Sequence, residues 1–307
     1  MQEDIDLVEA NAHGLKKSFK GIILAGGTGS RLFPMTKVIS KQLLPIYDKP
    51  LIYYPLSVLL LAGIKDILII AKAEEIPLYE KLFGNGNKLG LNIAYREQEY
   101  PRGIADAFII GEEFIGDDNV CLILGDNVFY GQQLTEYLKC AMKLKNDDAF
   151  IFGYPVANPS EFGVVTFDNE GKAISIEEKP KNSKSKHAVP GIYFYTNEVV
   201  KIAKEIKPSS RGELEITSIN QVYLENKKLN VILMGRGIAW LDTGTPEGML
   251  SASSFIETIQ SRQGLYVSCI EEIAWRKGFI TKNELVELGN EMKSTNYGKY
   301  ILTLCEV

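Results

Sequence analysis

Gly21-Ile-Ile-Leu-Ala-Gly-Gly-Thr-Gly-Ser-Arg-Leu-Phe-Pro34 joins an apolar run to a cluster of glycines, and an arginine and a proline follow the glycines. The run Gly21–Ala25 predicts a buried β-strand, and the glycines predict a loop at its carboxyl end. Glycines let backbone N–H groups approach a phosphate chain closely, and Arg31 adds a planar cation. The stretch therefore predicts the first strand of an α/β sheet, followed by a loop that binds phosphate.

The loop differs from two common nucleotide-binding loops. A P-loop has Gly-Lys-Ser/Thr at the start of a helix, whereas Gly29 is followed by Ser30-Arg31. The spacing Gly26-x-x-Gly29 does not match the dinucleotide fingerprint G-x-G-x-x-G, and Pro34 comes too soon for a regular helix. A plain tight turn is the structural alternative. Lys41 supplies a second cation after the loop, which favours a triphosphate site over that turn.

Strands and helices alternate from Lys20 onwards. Short β-like runs occur at Gly21–Ala25, Asp66–Ala71, Leu91–Arg96, Val120–Leu124 and Ala149–Tyr154. Helical patterns lie between them at Ile52–Ala62, Ile76–Phe83, Ile104–Phe114 and Leu134–Lys143. This alternation predicts an α/β fold with a doubly wound, mostly parallel, Rossmann-like sheet.

The rhythm changes after Pro155. Added β segments are predicted at Phe162–Phe167, Ala173–Glu178, Gly191–Tyr195 and Leu229–Met234, and helices at Glu213–Tyr223 and from Pro246 to about Arg262, with Thr245 as its N-cap. The sequence after that reads as helical. We therefore expect an N-terminal extension (residues 1–19), an α/β core with added β segments (20–245) and a C-terminal helical segment (246–307).

The composition is that of an ordinary globular protein, with 307 residues, 45% hydrophobic and 24% charged. A net charge of -5 gives no reason to expect nucleic acid or an anionic membrane as a partner. The longest apolar run, Leu51–Ile64, is shorter than the roughly 20 residues of a membrane span. The 4 cysteines form no CxxC pair, so reduced thiols in a cytoplasmic protein are expected.

Two aspartates follow apolar runs that read as strands. Asp126 ends Leu122-Ile-Leu-Gly-Asp, and Asp242 follows Trp240-Leu241. A single aspartate at such a position is more often a helix cap or a turn residue. A pair of them in a chain with a phosphate loop favours Mg²⁺, which takes one or two carboxylates together with phosphate oxygens and water.

No pairing of a nucleophile with a base is visible in the sequence. His13 lies in the N-terminal extension and His187 in a charged stretch, and both are expected to be surface residues. A sugar phosphate, with its second pKa near ~6, is largely a dianion at neutral pH and needs no base to attack. Alignment, a metal and cations would suffice for such a reaction.

Six motifs stand out along the chain: Gly26-Gly-Thr-Gly-Ser-Arg31, Ser40-Lys-Gln-Leu-Leu-Pro45, Leu124-Gly-Asp-Asn127, Glu177-Glu-Lys-Pro180, Arg211-Gly-Glu-Leu-Glu-Ile-Thr217 and Trp240-Leu-Asp-Thr-Gly244. Together they resemble the glucose-1-phosphate thymidylyltransferase family of sugar nucleotidyltransferases. The resemblance runs from about Lys20 to the C-terminus. It implies transfer of a thymidylyl group from dTTP to α-D-glucose 1-phosphate, with release of pyrophosphate, by direct attack of the sugar phosphate assisted by Mg²⁺.

The resemblance also implies roles for individual residues. Arg31, Lys41 and Lys179 would be catalytic, with Lys41 assisting the leaving pyrophosphate and Lys179 on the sugar phosphate. The nucleotide would be held by Gly26, Gly27, Gly29, Gln42, Gln98 and Gly103, of which the two glutamines face thymine. The sugar phosphate would contact Tyr154, Gly163, Glu178, Lys179, Val189 and Arg211. Asp126 and Asp242 would be the Mg²⁺ ligands.

Family members also form homotetramers and carry a second nucleotide site for feedback by a dTDP-sugar. By position this site would comprise Tyr130, Gly131, Arg236, Glu272, Ile273 and Arg276, although a structural ion-pair cluster would explain the same residues. The chain departs from the family where Pro101-Arg-Gly-Ile-Ala-Asp-Ala107 stands for the usual Pro-x-Gly-Leu-Ala-Gln-Ala, which places Asp106 at a glutamine position. Pro190 likewise stands where threonine is frequent.

Three other functions remain open at this point. An enzyme that uses UTP or another sugar 1-phosphate would need only a few changed contacts, because a missing methyl group is worth about 1–3 kcal/mol. A non-catalytic protein that binds nucleotide sugars is a second alternative, although it would not need the full set of Arg31, Lys41, Asp126 and Asp242. A dehydrogenase is disfavoured by the glycine loop.

Overall fold

The computed structural model describes residues 17–144 and 148–306, so nearly all of the predicted extension, including His13, lies outside the described residues. The strands are β1 (Phe19–Leu24), β2 (Pro45–Ile46), β3 (Lys49–Pro50), β4 (Asp66–Ala71), β5 (Asn92–Glu97), β6 (Asn119–Leu124), β7 (Asn127–Tyr130), β8 (Ala149–Pro155), β9 (Gly163–Phe167), β10 (Ala173–Glu178), β11 (His187–Ala188), β12 (Ile192–Tyr195), β13 (Leu229–Leu233) and β14 (Ala239–Asp242). The α-helices are α1 (Tyr53–Ala62), α2 (Ile76–Phe83), α3 (Asp106–Ile110), α4 (Glu112–Ile115), α5 (Leu134–Ala141), α6 (Glu198–Glu205), α7 (Ile216–Glu225), α8 (Pro246–Gln263), α9 (Ile270–Arg276), α10 (Lys282–Glu291) and α11 (Asn296–Thr303).

Ten strands form one sheet in the order β10-β9-β11-β8-β12-β6-β1-β4-β5, with β13 paired to β8. Strands β6, β1, β4 and β5 are parallel, whereas β12 is antiparallel to both of its neighbours, β6 and β8. The predicted α/β class, with a doubly wound, mostly parallel sheet, added β segments and C-terminal helices, is confirmed.

Helices cover both faces of the sheet, which explains why its central strands are apolar throughout. Successive residues of β1 point to opposite faces. Ile23 packs in one hydrophobic core with Leu56 of α1, and Ile22 packs in the other core with Phe108 of α3. Because these strands are buried on both sides, the site is confined to the edge where they end.

Two helix predictions need correction. The predicted helix Ile104–Phe114 is divided at Gly111 into α3 and α4, where a Cβ on the glycine would lie 2.9 Å from the side chain of Ile22. Helix α7 starts at Ile216 instead of Glu213. The residues before it are extended because the backbone of Leu214 exchanges hydrogen bonds with Arg102 and Ala105.

Among the C-terminal helices, α9 packs against α1, and α10 packs against α9 and α11. Ile270 of α9 and Leu285 of α10 belong to the same hydrophobic core as Leu56. Thr245 caps α8 as predicted, because its side chain accepts a hydrogen bond from the backbone N–H of Gly248. The division of the chain at residue 245 remains a prediction. Among the described residues, no helix is both long and apolar enough to span a membrane.

Candidate active site

The glycine loop leaves the carboxyl end of β1 and continues into short 3-10 turns instead of a long helix. Gly29 has a φ of 59°, in the left-handed region that favours glycine, and its carbonyl accepts a 2.7 Å hydrogen bond from the Thr36 hydroxyl. The first 3-10 turn, Ser30–Leu32, is anchored by the buried side chain of Leu32. Arg31 between them is exposed and lines the cleft that the loop encloses.

This phosphate cleft has a volume of about 230 Å³. Its lining consists of Gly27, Thr28, Gly29, Ser30, Arg31, Lys41, Gln42, Asp126, Asp242 and Gly244. Lys41 is only 6% exposed, and its Nζ donates a 2.8 Å hydrogen bond to Oδ2 of Asp126. The glycine loop and two basic side chains therefore share one small volume with two carboxylates.

Asp126 and Asp242 meet because β7 and β14 form an antiparallel ladder. Asp242 lies opposite Asn127 in that ladder, one residue from Asp126. The hydroxyl of Thr243 donates a 2.8 Å hydrogen bond to the backbone carbonyl of Asp126. The ladder thus brings together the two aspartates that sequence reasoning assigned to one metal.

The two carboxylates repel each other. Burial raises the pKa of Asp242, the charge of Asp126 raises it further, and Lys41 opposes the increase. Within the described residues no group of three or more histidine, cysteine, aspartate or glutamate side chains could hold a metal. Two carboxylates that face a phosphate cleft fit Mg²⁺, whose other ligands are usually phosphate oxygens and water.

A second cleft, of about 220 Å³, lies beyond the carboxylates, and Asp126 and Asp242 line it as well. Four of the residues predicted to contact a sugar phosphate line this sugar-side cleft, namely Gly163, Glu178, Lys179 and Val189. The clefts therefore meet at the carboxylate pair.

The carboxylate of Glu178 is held in place from two sides. Its Oε2 accepts a 2.5 Å hydrogen bond from the hydroxyl of Thr217, and its Oε1 lies 3.3 Å from Nη2 of Arg211. The next residue, Lys179, has a φ of 44°, a backbone conformation that is uncommon for lysine. This turn directs Lys179 to the rim of the sugar-side cleft.

Tyr154 and Arg211 do not line the sugar-side cleft, although the sequence predicted contact with the sugar phosphate. The hydroxyl of Tyr154 donates to the carbonyl of Ile238 at 3.2 Å, and its ring packs edge-on against Trp240. Arg211 donates to Glu215 at 2.8 Å and also lies 3.3 Å from Oε1 of Glu178, which lines the cleft. Both therefore support residues that do line the cleft, and direct contact with a substrate remains a prediction for them.

Three side chains that line the sugar-side cleft had no role predicted from the sequence, namely Asn127, Thr217 and Trp240. Asn127 donates to Asp126 at 2.9 Å and accepts from the indole N–H of Trp240 at 2.6 Å. Thr217 holds Glu178, as described above. Asn127 is buried, and buried polar side chains are usually hydrogen-bonded. Its position directly after the Leu-Gly-Asp run was the sequence feature that could have predicted its role.

The residues predicted to face the base lie around the start of the glycine loop. Gln42 lines the phosphate cleft, and Gln98 follows β5 at the same edge of the sheet. A Cβ on Gly26 would lie 2.5 Å from Oε1 of Gln98, so the two residues are in close contact. Gly103 has a φ of 113° and presses against the backbone of Leu214. Contact with a nucleotide remains a prediction for this group.

The residues of the predicted second nucleotide site lie on two segments. A Cβ on Gly131 would lie 2.5 Å from the carbonyl of Gly237, so the Tyr130–Gly131 turn adjoins exposed Arg236. On α9, Glu272 accepts from Nε of Arg276 at 2.7 Å and from the hydroxyl of Tyr300 at 2.5 Å. Ile273 packs on the hydrophobic core. Binding of a nucleotide there remains a prediction.

The remaining candidate groups lie apart from the clefts. His187 is half-buried against Phe167, with ring centroids 5.3 Å apart, so it is not a fully exposed surface residue. It lines neither cleft. All four cysteines carry free thiols, and burial raises the pKa of Cys121 and of Cys269. A thiol is less reactive than a thiolate, so the raised pKa keeps Cys121 and Cys269 in their less reactive form.

A glycine loop with two basic side chains, which shares two aspartates with a second cleft, fits a nucleotidyltransferase, an enzyme that joins a nucleotide to a second substrate. The family model described as "Nucleotidyl transferase" matches residues 20–259 of the chain. This match covers the sheet, the glycine loop and both carboxylates.

The chain is 55% identical over 285 residues to the glucose-1-phosphate thymidylyltransferase of Neisseria meningitidis. The aligned region covers 93% of this chain and 99% of the relative. A crystal structure from Bacillus anthracis, assigned to glucose-1-phosphate thymidylyltransferase and containing sucrose, has a TM-score of 0.72 and 42% identity over 78% of this chain and 95% of the other. UDP-glucose pyrophosphorylase complexed with UDP-glucose has a TM-score of 0.70 and 26% identity over 78% of this chain and 98% of the other. The chain belongs to the glucose-1-phosphate thymidylyltransferase family.

Proposed function

We propose that the chain transfers the thymidylyl group of dTTP to α-D-glucose 1-phosphate, giving dTDP-glucose and pyrophosphate. The observation that carries this proposal is the shared wall of the two clefts, where Asp126 and Asp242 stand between a phosphate loop and a sugar-side cleft. The high identity to a thymidylyltransferase along nearly the whole chain supports the choice of substrates.

In this reaction an oxygen of the sugar phosphate attacks the α-phosphorus of dTTP. The bond from that phosphorus to the β-phosphate bridging oxygen breaks, and pyrophosphate leaves with both electrons. The glycine loop and Arg31 hold the triphosphate, and Lys41 neutralises charge that builds on the leaving pyrophosphate. Lys179 holds the attacking phosphate, and Glu178 accepts hydrogen bonds from sugar hydroxyls.

We assign the divalent metal to Asp126 and Asp242, with Mg²⁺ as the ion. Burial raises the pKa of Asp242 and the charge of Asp126 raises it further, so a bound cation would offset an unfavourable pair of negative charges. When bound, Mg²⁺ would offset the charge of the triphosphate and stabilise charge that develops during transfer. Lys41 already donates to Asp126, so it orients this carboxylate and reduces the repulsion before any ligand arrives.

The test is pyrophosphate release from dTTP, UTP, CTP, ATP and GTP, each with glucose 1-phosphate and Mg²⁺. We expect the largest kcat/KM with dTTP and a smaller value with UTP, which lacks the thymine methyl group and carries a 2′-hydroxyl that dTTP does not have. Galactose 1-phosphate serves as the control for the sugar. A larger kcat/KM with UTP than with dTTP would favour a second candidate function, that of a UDP-sugar pyrophosphorylase. The observation that supports this candidate is the fold similarity to UDP-glucose pyrophosphorylase.

We also propose that Tyr130, Gly131, Arg236, Glu272, Ile273 and Arg276 form a second site where a dTDP-sugar inhibits a homotetramer. The support is that an exposed arginine, Arg236, has no role in either cleft, and that Glu272 already fixes Arg276. Arg236→Ala should abolish inhibition by dTDP-rhamnose at saturating dTTP while it leaves uninhibited turnover intact. Inhibition of the variant equal to that of the parent would contradict this assignment.

A further inference from the structure

Two buried glutamines stand at the start of the glycine loop, and each is held by a polar partner of its own. Gln42 is 4% exposed and Gln98 is 5% exposed. Oε1 of Gln42 accepts a 2.8 Å hydrogen bond from the hydroxyl of Ser40. Nε2 of Gln98 donates a 3.1 Å hydrogen bond to Oδ2 of Asp106. The amide of Gln42 is therefore held at its oxygen, whereas the amide of Gln98 is held at its NH₂ group.

The orientation of Gln98 follows from the chemistry of its partner. An ionised carboxylate can only accept hydrogen bonds, so Gln98 must turn its NH₂ group towards Asp106. The guanidinium of Arg102 lies 2.8 Å from the other oxygen of Asp106, which pairs the carboxylate with a cation. The amide oxygen of Gln98 is consequently left against Gly26, the first residue of the loop.

Gln42 is arranged the other way round. The hydroxyl of Ser40 donates to its amide oxygen, and the same hydroxyl lies 2.8 Å from the hydroxyl of Tyr79. Tyr79 is fully buried, and among the described residues its hydroxyl has no hydrogen-bond partner besides Ser40. Tyr79 therefore donates to Ser40, which leaves the Ser40 proton for the amide oxygen of Gln42. The NH₂ group of Gln42 remains the end that can donate to a ligand in the phosphate cleft, which Gln42 lines.

We propose that Asp106 is a positioning residue for base selection. Together with Ser40, it holds Gln98 as an acceptor beside Gly26 and Gln42 as a donor in the phosphate cleft. This inference rests on the proposed function, since it assumes that the base lies between these amides. The glutamine that the family usually has at position 106 could either accept a hydrogen bond from Gln98 or donate one to it. Such a glutamine would not force one orientation on the amide of Gln98.

An acceptor beside a donor matches a base edge on which an N–H group adjoins a carbonyl. Thymine and uracil present this edge, with N3–H between two carbonyl oxygens. Cytosine presents an unprotonated N3 and an amino group instead, so the polarity of both groups is inverted. With both glutamines held, cytosine would leave buried polar groups unpaired, and such groups are costly.

The test compares kcat/KM for dTTP with kcat/KM for dCTP, two nucleotides with the same sugar, in the parent and in Asp106→Asn and Ser40→Ala. In each variant one amide can flip, so we expect the dTTP:dCTP ratio to fall by about tenfold or more. Use of dTTP should itself fall by less than the ratio does, because the original orientation is still allowed but no longer enforced. The ratio does not depend on the fraction of folded enzyme, so a purely structural role of Asp106 would leave it unchanged.

Asp118→Asn is the matched control, because Asp118 also accepts hydrogen bonds, from Ser18, but lies at the opposite end of β1. An unchanged ratio in both test variants, or a parent that uses dCTP as well as dTTP, would overturn the inference. A parent that releases no pyrophosphate from dTTP would instead contradict the proposed function. These results are distinct, because the parent alone reports on the function and the variants report on Asp106 and Ser40.

Discussion

Asp126→Asn and Asp242→Asn should each lower kcat by about a thousandfold while the protein remains folded. Each change removes a full negative charge from the wall between the two clefts, where both side chains are available to a metal. A bound metal ion contributes several kcal/mol of transition-state stabilisation, and every ~1.4 kcal/mol is a factor of ten in rate. The measurement is pyrophosphate release at limiting and at saturating Mg²⁺.

The two variants should differ in stability, and this difference tests the repulsion between the carboxylates. Asp242→Asn removes a partly buried charge that repels Asp126, so the metal-free melting temperature should be equal to or above that of the parent. Asp126→Asn leaves buried Lys41 without its partner and should melt lower. The control is Asp117→Asn, at an exposed position away from the clefts. Turnover within tenfold of the parent in both test variants would rule out the metal assignment.

Lys41→Gln should lower kcat by about a hundredfold and change KM for dTTP much less. Lys41 lies in the phosphate cleft, where its charge is nearly shielded from water and can act on the leaving pyrophosphate. An interaction that strengthens only in the transition state affects kcat, whereas uniform binding affects KM. Steady-state rates with varied dTTP separate these two effects.

Lys37→Gln is the matched control for this prediction. Lys37 belongs to a neighbouring 3-10 turn of the same loop, but it is exposed and does not line the phosphate cleft. The control should behave like the parent. A Lys41 variant with a raised KM and an unchanged kcat would show that the lysine only binds the ground state, contrary to the role assigned to it.

The central elements of the fold could be predicted from the sequence because they depend on local patterns. Strand β4 and helix α2 have the predicted bounds, Asp66–Ala71 and Ile76–Phe83. Strand β1 begins two residues before the predicted start and ends one residue earlier. Strands that are buried on both faces form continuous apolar runs between turn residues, so their positions can be read from a short window.

The pairing that assembles the site could not be predicted in this way. Strand β7 was not predicted, and its ladder with β14 joins segments that are far apart in the chain. The extended backbone before α7 likewise depends on hydrogen bonds between Leu214 and the Arg102–Ala105 stretch. Contacts of this kind leave no periodic pattern near either partner.

The prediction of the family is confirmed, because the motifs that suggested it extend into a match along most of the chain. The roles of individual site residues depend on which side chains they contact in the folded protein, and a sequence motif does not show these contacts. Arg211, for example, matches a family motif, yet its guanidinium binds Glu215 beside the sugar-side cleft. The roles assigned to site residues therefore remain predictions until the variants are measured.

The most direct test of the central claim follows the oxygen atoms of the sugar phosphate. Glucose 1-phosphate that carries ¹⁸O at all four oxygens of its phosphate group is incubated with unlabelled dTTP and Mg²⁺, and the products are analysed by mass spectrometry. If the sugar phosphate attacks the α-phosphorus, all four labels appear in dTDP-glucose and the pyrophosphate is unlabelled. Label in the pyrophosphate, or no dTDP-glucose at all, would contradict the account.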